Sequence, residues 1–225
     1  MSSAMRIDLS RAVLADNDAL ADATRQALTA AGVLCVGLLS SPGAGKTTLL
    51  EATADAWDDP SRLAVIVGDV ATEADADRLR RKGIPSVQIN TLHHGATCHL
   101  AAEPVAAALA TLELGNTDIL FVENVGNLVC PVGFRLGEHQ RVVLISVAEG
   151  ADKPTKYPKA VLETDLALIT KVDLAPYVDV SYEDLERSVR QVRPQAAMLG
   201  LSTRTGEGMD AWLDWLRARR AEVTG

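Results

Sequence analysis

The segment Ser40-Ser-Pro-Gly-Ala-Gly-Lys-Thr-Thr48 sets glycines, a lysine and hydroxyl side chains at a spacing suited to phosphate. Gly43 and Gly45 let the chain turn so that successive backbone N–H groups face inward, which makes an anion-binding concavity. Lys46 can neutralise β- and γ-phosphate oxygens, and the Thr47 hydroxyl can ligate Mg²⁺. An apolar run, Val33–Leu39, leads into the loop and a helix-forming stretch follows at once. That strand–loop–helix setting identifies a P-loop, with Gly43, Ala44, Gly45, Lys46, Thr47 and Thr48 on the nucleotide. Ser40 stands where the motif has its first Gly, a place that a small residue can take at negative φ.

Two further apolar runs end in acids. Leu63–Val67 runs into Gly68-Asp69, and Ile119–Val122 runs into Glu123-Asn124-Val125-Gly126. A carboxylate there can hold Mg²⁺ directly or through its hydration shell. Glu123 with Gly126 forms an acid-x-x-Gly switch whose Gly126 N–H can sense a γ-phosphate. Thr170-Lys171-Val172-Asp173 looks like the guanine motif N-K-x-D with Thr in place of Asn. The two Asp173 oxygens can accept from guanine N1–H and its 2-amino group, donors that adenine does not present together. Lys171 lies along the base in such a site. Ser202-Thr203-Arg204 stands where a backbone N–H, that of Thr203, meets guanine O6.

Cys98-His99 follows the histidine-rich loop His93-His94-Gly95-Ala96-Thr97, and Cys130 lies seven residues beyond Glu123. Two thiolates and an imidazole suit Zn²⁺ or Ni²⁺ and suit Mg²⁺ poorly. Three ligands are an incomplete set, which a second subunit across a two-fold axis could complete. Spacing alone favours the plainer alternative of two unrelated buried thiols and an exposed imidazole.

These residues need a scaffold that brings strand ends together. Apolar runs recur at Val33–Leu39, Leu63–Val67, Val87–Ile89, Ile119–Val122, Val142–Val147, Leu166–Thr170 and Ala197–Leu201. Helix-length segments lie at Leu9–Ala31, Lys46–Trp57, Glu73–Lys82, Pro104–Leu114, Tyr182–Val192 and Glu207–Glu222. Continuous apolar strands alternating with helices predict an α/β three-layer fold with a mostly parallel central sheet. The break comes between Ile119 and Val147, where strand follows strand across the loop holding Cys130. Ligands in such folds gather at the carboxyl ends of the strands, where all of these motifs fall. The expected organisation is a helical extension over 1–32 and a P-loop GTPase domain over 33–225.

Composition narrows the function. The 225 residues carry 22 Lys+Arg and 30 Asp+Glu, a formal net charge of −8, which argues against nucleic acid as a partner. No run reaches the roughly 20 apolar residues of a membrane span, and the start lacks the features of a signal peptide. A cytoplasmic protein is expected. Three cysteines are too few for a disulfide scaffold.

Taken together, Ser41-Pro-Gly-Ala-Gly-Lys-Thr-Thr-Leu-Leu50, Cys98-His-Leu100, Glu123-Asn-Val-Gly-Asn-Leu-Val-Cys-Pro131 and Glu149-Gly-Ala-Asp-Lys-Pro154 resemble the HypB-type nickel-insertion GTPases of hydrogenase maturation, from about Val33 to Trp215. The resemblance implies a P-loop GTPase sheet that dimerises around GTP and hydrolyses it to GDP and phosphate. It implies Lys46 and Thr47 on phosphate and Mg²⁺, with Asp69, Asp75 and Glu123 around the Mg²⁺ and γ-phosphate. Asp173 would take guanine, and Cys98, His99 and Cys130 would hold Ni²⁺ or Zn²⁺ at the dimer interface. The implied partners are a small nickel-binding accessory protein and the hydrogenase large subunit precursor. Three features depart from that family: Thr170 replaces the usual Asn, Leu92-His93-His94 looks like an insertion, and Ala101 stands where an Asp is usual. No Gln or Arg is assigned to position the attacking water, which suggests slow turnover. The competing readings are a related GTPase metallochaperone for urease or another metalloenzyme, and a metal-storing dimer.

Overall fold

Uninterrupted apolar runs become strands buried on both faces. The computed structural model describes residues 9–69, 74–91 and 98–225. In chain order these form α1 (Leu9–Ala30), β1 (Leu34–Ser40), α2 (Lys46–Ala56), β2 (Leu63–Asp69), α3 (Ala74–Arg81), β3 (Ser86–Asn90), α4 (Ala102–Leu109), β4 (Ile119–Glu123) and β5 (Gln140–Ser146). Then follow α5 (Lys153–Lys156), α6 (Pro158–Leu162), β6 (Leu166–Thr170), α7 (Tyr182–Val192), β7 (Ala197–Leu201) and α8 (Met209–Thr224). The seven strands make one sheet in the order β3-β2-β4-β1-β5-β6-β7, and every pairing is parallel. The expected mostly parallel sheet is therefore parallel throughout, with the P-loop GTPase fold.

Strand alternation divides the core. Leu34, Val36 and Leu38 of β1 join Val65, Phe121 and Leu144 on one face, covered by α2, α3 and α8 through Leu49, Leu79, Trp212 and Leu216. On the opposite face Cys35, Ile66, Leu120 and Val122 meet Leu28 of α1 and Val105 of α4. Val143, Ile145 and Ile169 meet Ala160 of α6 and Leu185 and Val189 of α7. Cys35 is thus a core side chain, and burial pushes its thiol well up.

The β4–β5 connection, residues 124–139, crosses the sheet with only one 3-10 turn at Pro131–Gly133. Leu128, Val132 and Leu136 supply the apolar cover that a helix would otherwise provide. Buried Arg141 at the start of β5 ties this crossing down. It donates to the Val132 and Phe134 carbonyls at 3.0 and 2.9 Å and pairs with buried Glu138. Helix α1 lies close on the crossing, since a Cβ on Gly137 would come within 2.8 Å of Thr24.

Two local expectations differ from the structure. Helix α4 covers Ala102–Leu109 instead of 104–114, and the Thr111 hydroxyl donates to the Ala108 carbonyl just past its end. The short helices α5 and α6 are not among the expected helix-length segments; in each a proline sits in the first turn, where no N–H is needed. Glu73, the expected start of α3, and the Leu92-His93-His94 insertion lie outside the described residues.

Candidate functional site

The phosphate loop is shaped before any ligand arrives. Gly43 and Gly45 have φ of 78° and 102°, left-handed values that glycine takes at little cost. Helix α2 starts at Lys46, so its unsatisfied first-turn N–H groups and dipole lie at the phosphate end of the loop. The departure at Ser40 has a use: the Lys46 ammonium donates to the Ser40 hydroxyl at 2.9 Å, and that hydroxyl donates to the Ser41 carbonyl. Burial lowers the Lys46 pKa, opposed by the nearby charges of Glu123, Asp75, Glu149 and Asp69.

Glu123 closes the opposite wall. It is 5% exposed, its Oε1 accepts from the Thr47 hydroxyl at 2.9 Å, and its Oε2 is buried without a partner. Burial pushes its carboxyl up to about 7, with Lys46 and Thr47 pulling the other way. An orphaned buried carboxylate oxygen beside a P-loop Thr fits the donor set of Mg²⁺, a hard cation that takes oxygen ligands. Asp69 and Asp75 line the same cavity of about 500 Å³, together with Gly43–Thr48, Gly126, Lys171 and Thr203. Gly126 is pressed against the loop, for a Cβ there would stand 3.0 Å from Pro42 Cα and N. A side chain at that position would push this turn away from the P-loop.

Lys171 adopts φ 60°, and its ammonium donates to the Gly43 carbonyl at 2.7 Å. Thr170, the departure from N-K-x-D, donates its hydroxyl to the Ala44 carbonyl at 2.8 Å. The end of β6 therefore grips two successive P-loop carbonyls, and Thr170 makes one of those bonds. Asp173 lies in an adjoining cavity of about 500 Å³ that shares Lys171 and Thr203 with the phosphate cavity. Its Oδ1 accepts from Ser202 Oγ at 2.6 Å and its Oδ2 from Arg204 Nε at 2.9 Å. The Ser202 hydrogen bond first, and Arg204 with it, hold the Asp173 carboxyl below the usual carboxylate range. An ionised carboxylate is the kind of acceptor that a guanine edge would need.

Arg78 is a charged cavity residue that no sequence motif marks. Arg78 on α3 donates to Glu51 at 2.5 Å, to Asp75 at 3.2 Å and to Thr48 Oγ1 at 3.4 Å, and it faces the phosphate cavity. Its three-residue spacing from Asp75 was the available signal, since residues that far apart share a helix face.

The cysteine cluster is partly assembled. The Cys98 and Cys130 side chains lie near each other, and Cys130 first, with burial behind it, raises the Cys98 pKa. Cys98 Sγ is 3.5 Å from His99 Nδ1, while the His99 ring stacks on Phe134 with centroids 4.0 Å apart. Burial lowers the His99 pKa, which favours the neutral form that binds metals. Among the described residues of one chain, no group of three or more His, Cys, Asp or Glu side chains is placed to hold an ion. Ala101 begins α4 without a side-chain cap. Asn17 of α1 substitutes: its Oδ1 accepts from the Ala102 N–H at 2.8 Å and its Nδ2 donates to the Arg135 carbonyl at 2.9 Å.

Comparison with known proteins agrees with this geometry. Residues 34–200 match the family described as CobW/HypB/UreG, nucleotide-binding domain. The chain is 44% identical over 220 residues to the hydrogenase maturation factor HypB of Escherichia coli, covering 98% of this chain and 75% of that one. It superimposes on the crystal structure of HypB from Helicobacter pylori in complex with nickel with a TM-score of 0.86 and 34% identity, covering 92% of this chain and 96% of that one. For HypB from Archaeoglobus fulgidus the TM-score is 0.84 and the identity 38%, covering 92% and 100%. The match over residues 34–200 and 44% identity over nearly the whole chain, on a parallel seven-stranded sheet with a phosphate loop, place the protein in the CobW/HypB/UreG family as a relative of the HypB hydrogenase maturation factors.

Proposed function

We propose that the protein is a GTP-hydrolysing metallochaperone that hands nickel on during maturation of [NiFe] hydrogenase, from a Cys98–His99–Cys130 site at a nucleotide-dependent dimer interface. The observation carrying this reading is that Glu123, bonded to the P-loop Thr47, and Cys130, which lies near Cys98, belong to one eight-residue segment. Val129, beside Cys130, is an apolar side chain 65% exposed, as a residue awaiting a second copy would be. The incomplete ligand set of one chain also favours a second copy.

In this mechanism Lys46 and the α2 N-terminus take the charge of the β- and γ-phosphates, and Asp173 orients the base. Thr47, Asp69 and Glu123 would hold Mg²⁺, which supplies charge neutralisation between the transferring phosphate and its leaving group. Gly126 registers the γ-phosphate and Arg78 lies over the first turn of α2. Loss of the γ-phosphate frees the Glu123–Cys130 segment, which changes the dimer and the grip on nickel. The accessory protein and the hydrogenase precursor belong to the same reading, as does a cytoplasmic site of action.

The test is GTP turnover and sedimentation with and without Ni²⁺ or Zn²⁺. The expected result is a dimer with a GTP analogue, a monomer with GDP, and turnover that responds to metal. Turnover indifferent to metal, with one mass in all nucleotide states, would instead indicate passive storage.

A further inference from the structure

We infer that Asn124, working through the backbone of Leu100, carries the nucleotide state to the Cys98 side of the cysteine pair. The inference rests on the nucleotide-linked nickel reading above and identifies the residue that makes the link. From the chain path alone, Cys98 follows β3 and Cys130 follows β4, so only Cys130 would be expected to move with Glu123. The contacts differ from that expectation.

Asn124 adjoins Glu123 and is 2% exposed. Its N–H donates to the Leu38 carbonyl of β1 at 3.1 Å, which continues the β4–β1 pairing beyond the strand end. Its side-chain Oδ1 accepts two backbone donors, Val125 N–H at 2.9 Å and Leu100 N–H at 3.1 Å. Leu100 is two residues past Cys98, and its side chain, 1% exposed, is pressed on β2 where a Cβ on Gly68 would lie 2.7 Å away. Gly68 is next to Asp69 in the sequence. The Cys98-His99 segment is therefore held to the two strand ends that carry the acids of the nucleotide site, by a hydrogen bond at β4 and by packing at β2. A further contact fastens it to the same crossing: the His99 ring stacks on Phe134 with centroids 4.0 Å apart. Asn127 holds the other half, accepting from Val129 N–H at 2.7 Å and Cys130 N–H at 3.4 Å.

A shift of the Glu123–Gly126 strand end then moves both thiols, Cys130 through the chain and Cys98 through the Asn124 amide. Buried interfaces of this kind have discrete arrangements, so small shifts pass on without being absorbed. Asn124 is a positioning residue in this scheme. It acts on the cysteines through Leu100.

The experiment measures nickel affinity of Asn124→Ala and of the wild type, each with GDP and with a GTP analogue, beside their thermal stability. In the wild type the analogue-to-GDP ratio is expected to differ from one by about 5–150-fold, the usual range of coupling. In Asn124→Ala both nucleotides and nickel still bind, and the ratio falls to within about twofold of one, the low end of what a coupling network leaves behind. A merely structural Asn124 would lower the melting temperature and leave the ratio alone, and that result overturns the assignment. A wild-type ratio of one overturns the nucleotide-linked reading itself, and the Asn124 role with it. Hydrogen exchange on the wild type needs no variant: the Leu100 amide should change protection between GDP and analogue, and equal protection in both states overturns the inference.

Discussion

Glu123→Gln separates stability from function at a single atom. The carboxyl is 5% exposed, has one oxygen without a partner, and is pushed from 4.5 up to about 7, chiefly by burial. Because the folded value lies above the unfolded one, its contribution to stability is full below pH 4.5 and is lost as pH rises through about 7. The displacement corresponds to about 3 kcal/mol at 1.4 kcal/mol per pH unit. A glutamine keeps an acceptor for Thr47 and never ionises, so it escapes this loss. Chemical denaturation of nucleotide-free, metal-free protein between about pH 5 and pH 8 should show the variant gaining on the wild type by about 2–3 kcal/mol, the rest of the difference falling below pH 5. Other titrating groups, such as His139, whose pKa burial lowers, are common to both chains and cancel in the difference. The same variant should lose the Mg²⁺-dependent part of GTP binding, since a neutral amide is a poorer ligand for a hard cation. Parallel stability curves for the two chains across this range would refute the reasoning.

Asp173→Asn exchanges a double acceptor for a mixed group, so competition binding should show GTP weakened by about 100-fold and xanthosine triphosphate favoured. Unchanged GTP affinity would exclude the base assignment. Gly126→Ala sets a Cβ 3.0 Å from the Pro42 backbone and should destabilise the closed switch by about 1–3 kcal/mol. The loss should fall on the GTP analogue more than on GDP, and equal losses would remove Gly126 as the γ-phosphate sensor. Asn17→Ala leaves the Ala102 N–H and the Arg135 carbonyl without their partner, a cost of about 1–3 kcal/mol by denaturation with nucleotide affinity intact. A change near zero would mean that α1 does not secure these segments.

Much of the site was legible because its signals are short-range. The P-loop is a matter of backbone turns, and Gly43 and Gly45 stand where left-handed φ is needed. Strands were found as apolar runs because a parallel sheet buries both faces. Thr170 was recognised as a departure, but its bond to the Ala44 carbonyl, 126 residues away, was not visible in the sequence. Helix α4 was placed two residues late for a similar reason: its cap is Asn17, on a different helix.

By itself the sequence determined the phosphate loop, the acids at the strand ends and the α/β class, all of them set by local spacing and by the period of burial. Tertiary structure alone decided that Cys98 comes near Cys130, that Glu123 is buried with one oxygen unpaired, and that Arg78 turns toward Thr48 and Glu51. These depend on strand order. With β4 inserted between β2 and β1, His99 stacks on Phe134 of the crossing after β4, and the Leu100 N–H reaches Asn124. Strand order follows from how two whole faces of a sheet are covered, a long-range balance of burial that no local spacing of residues records.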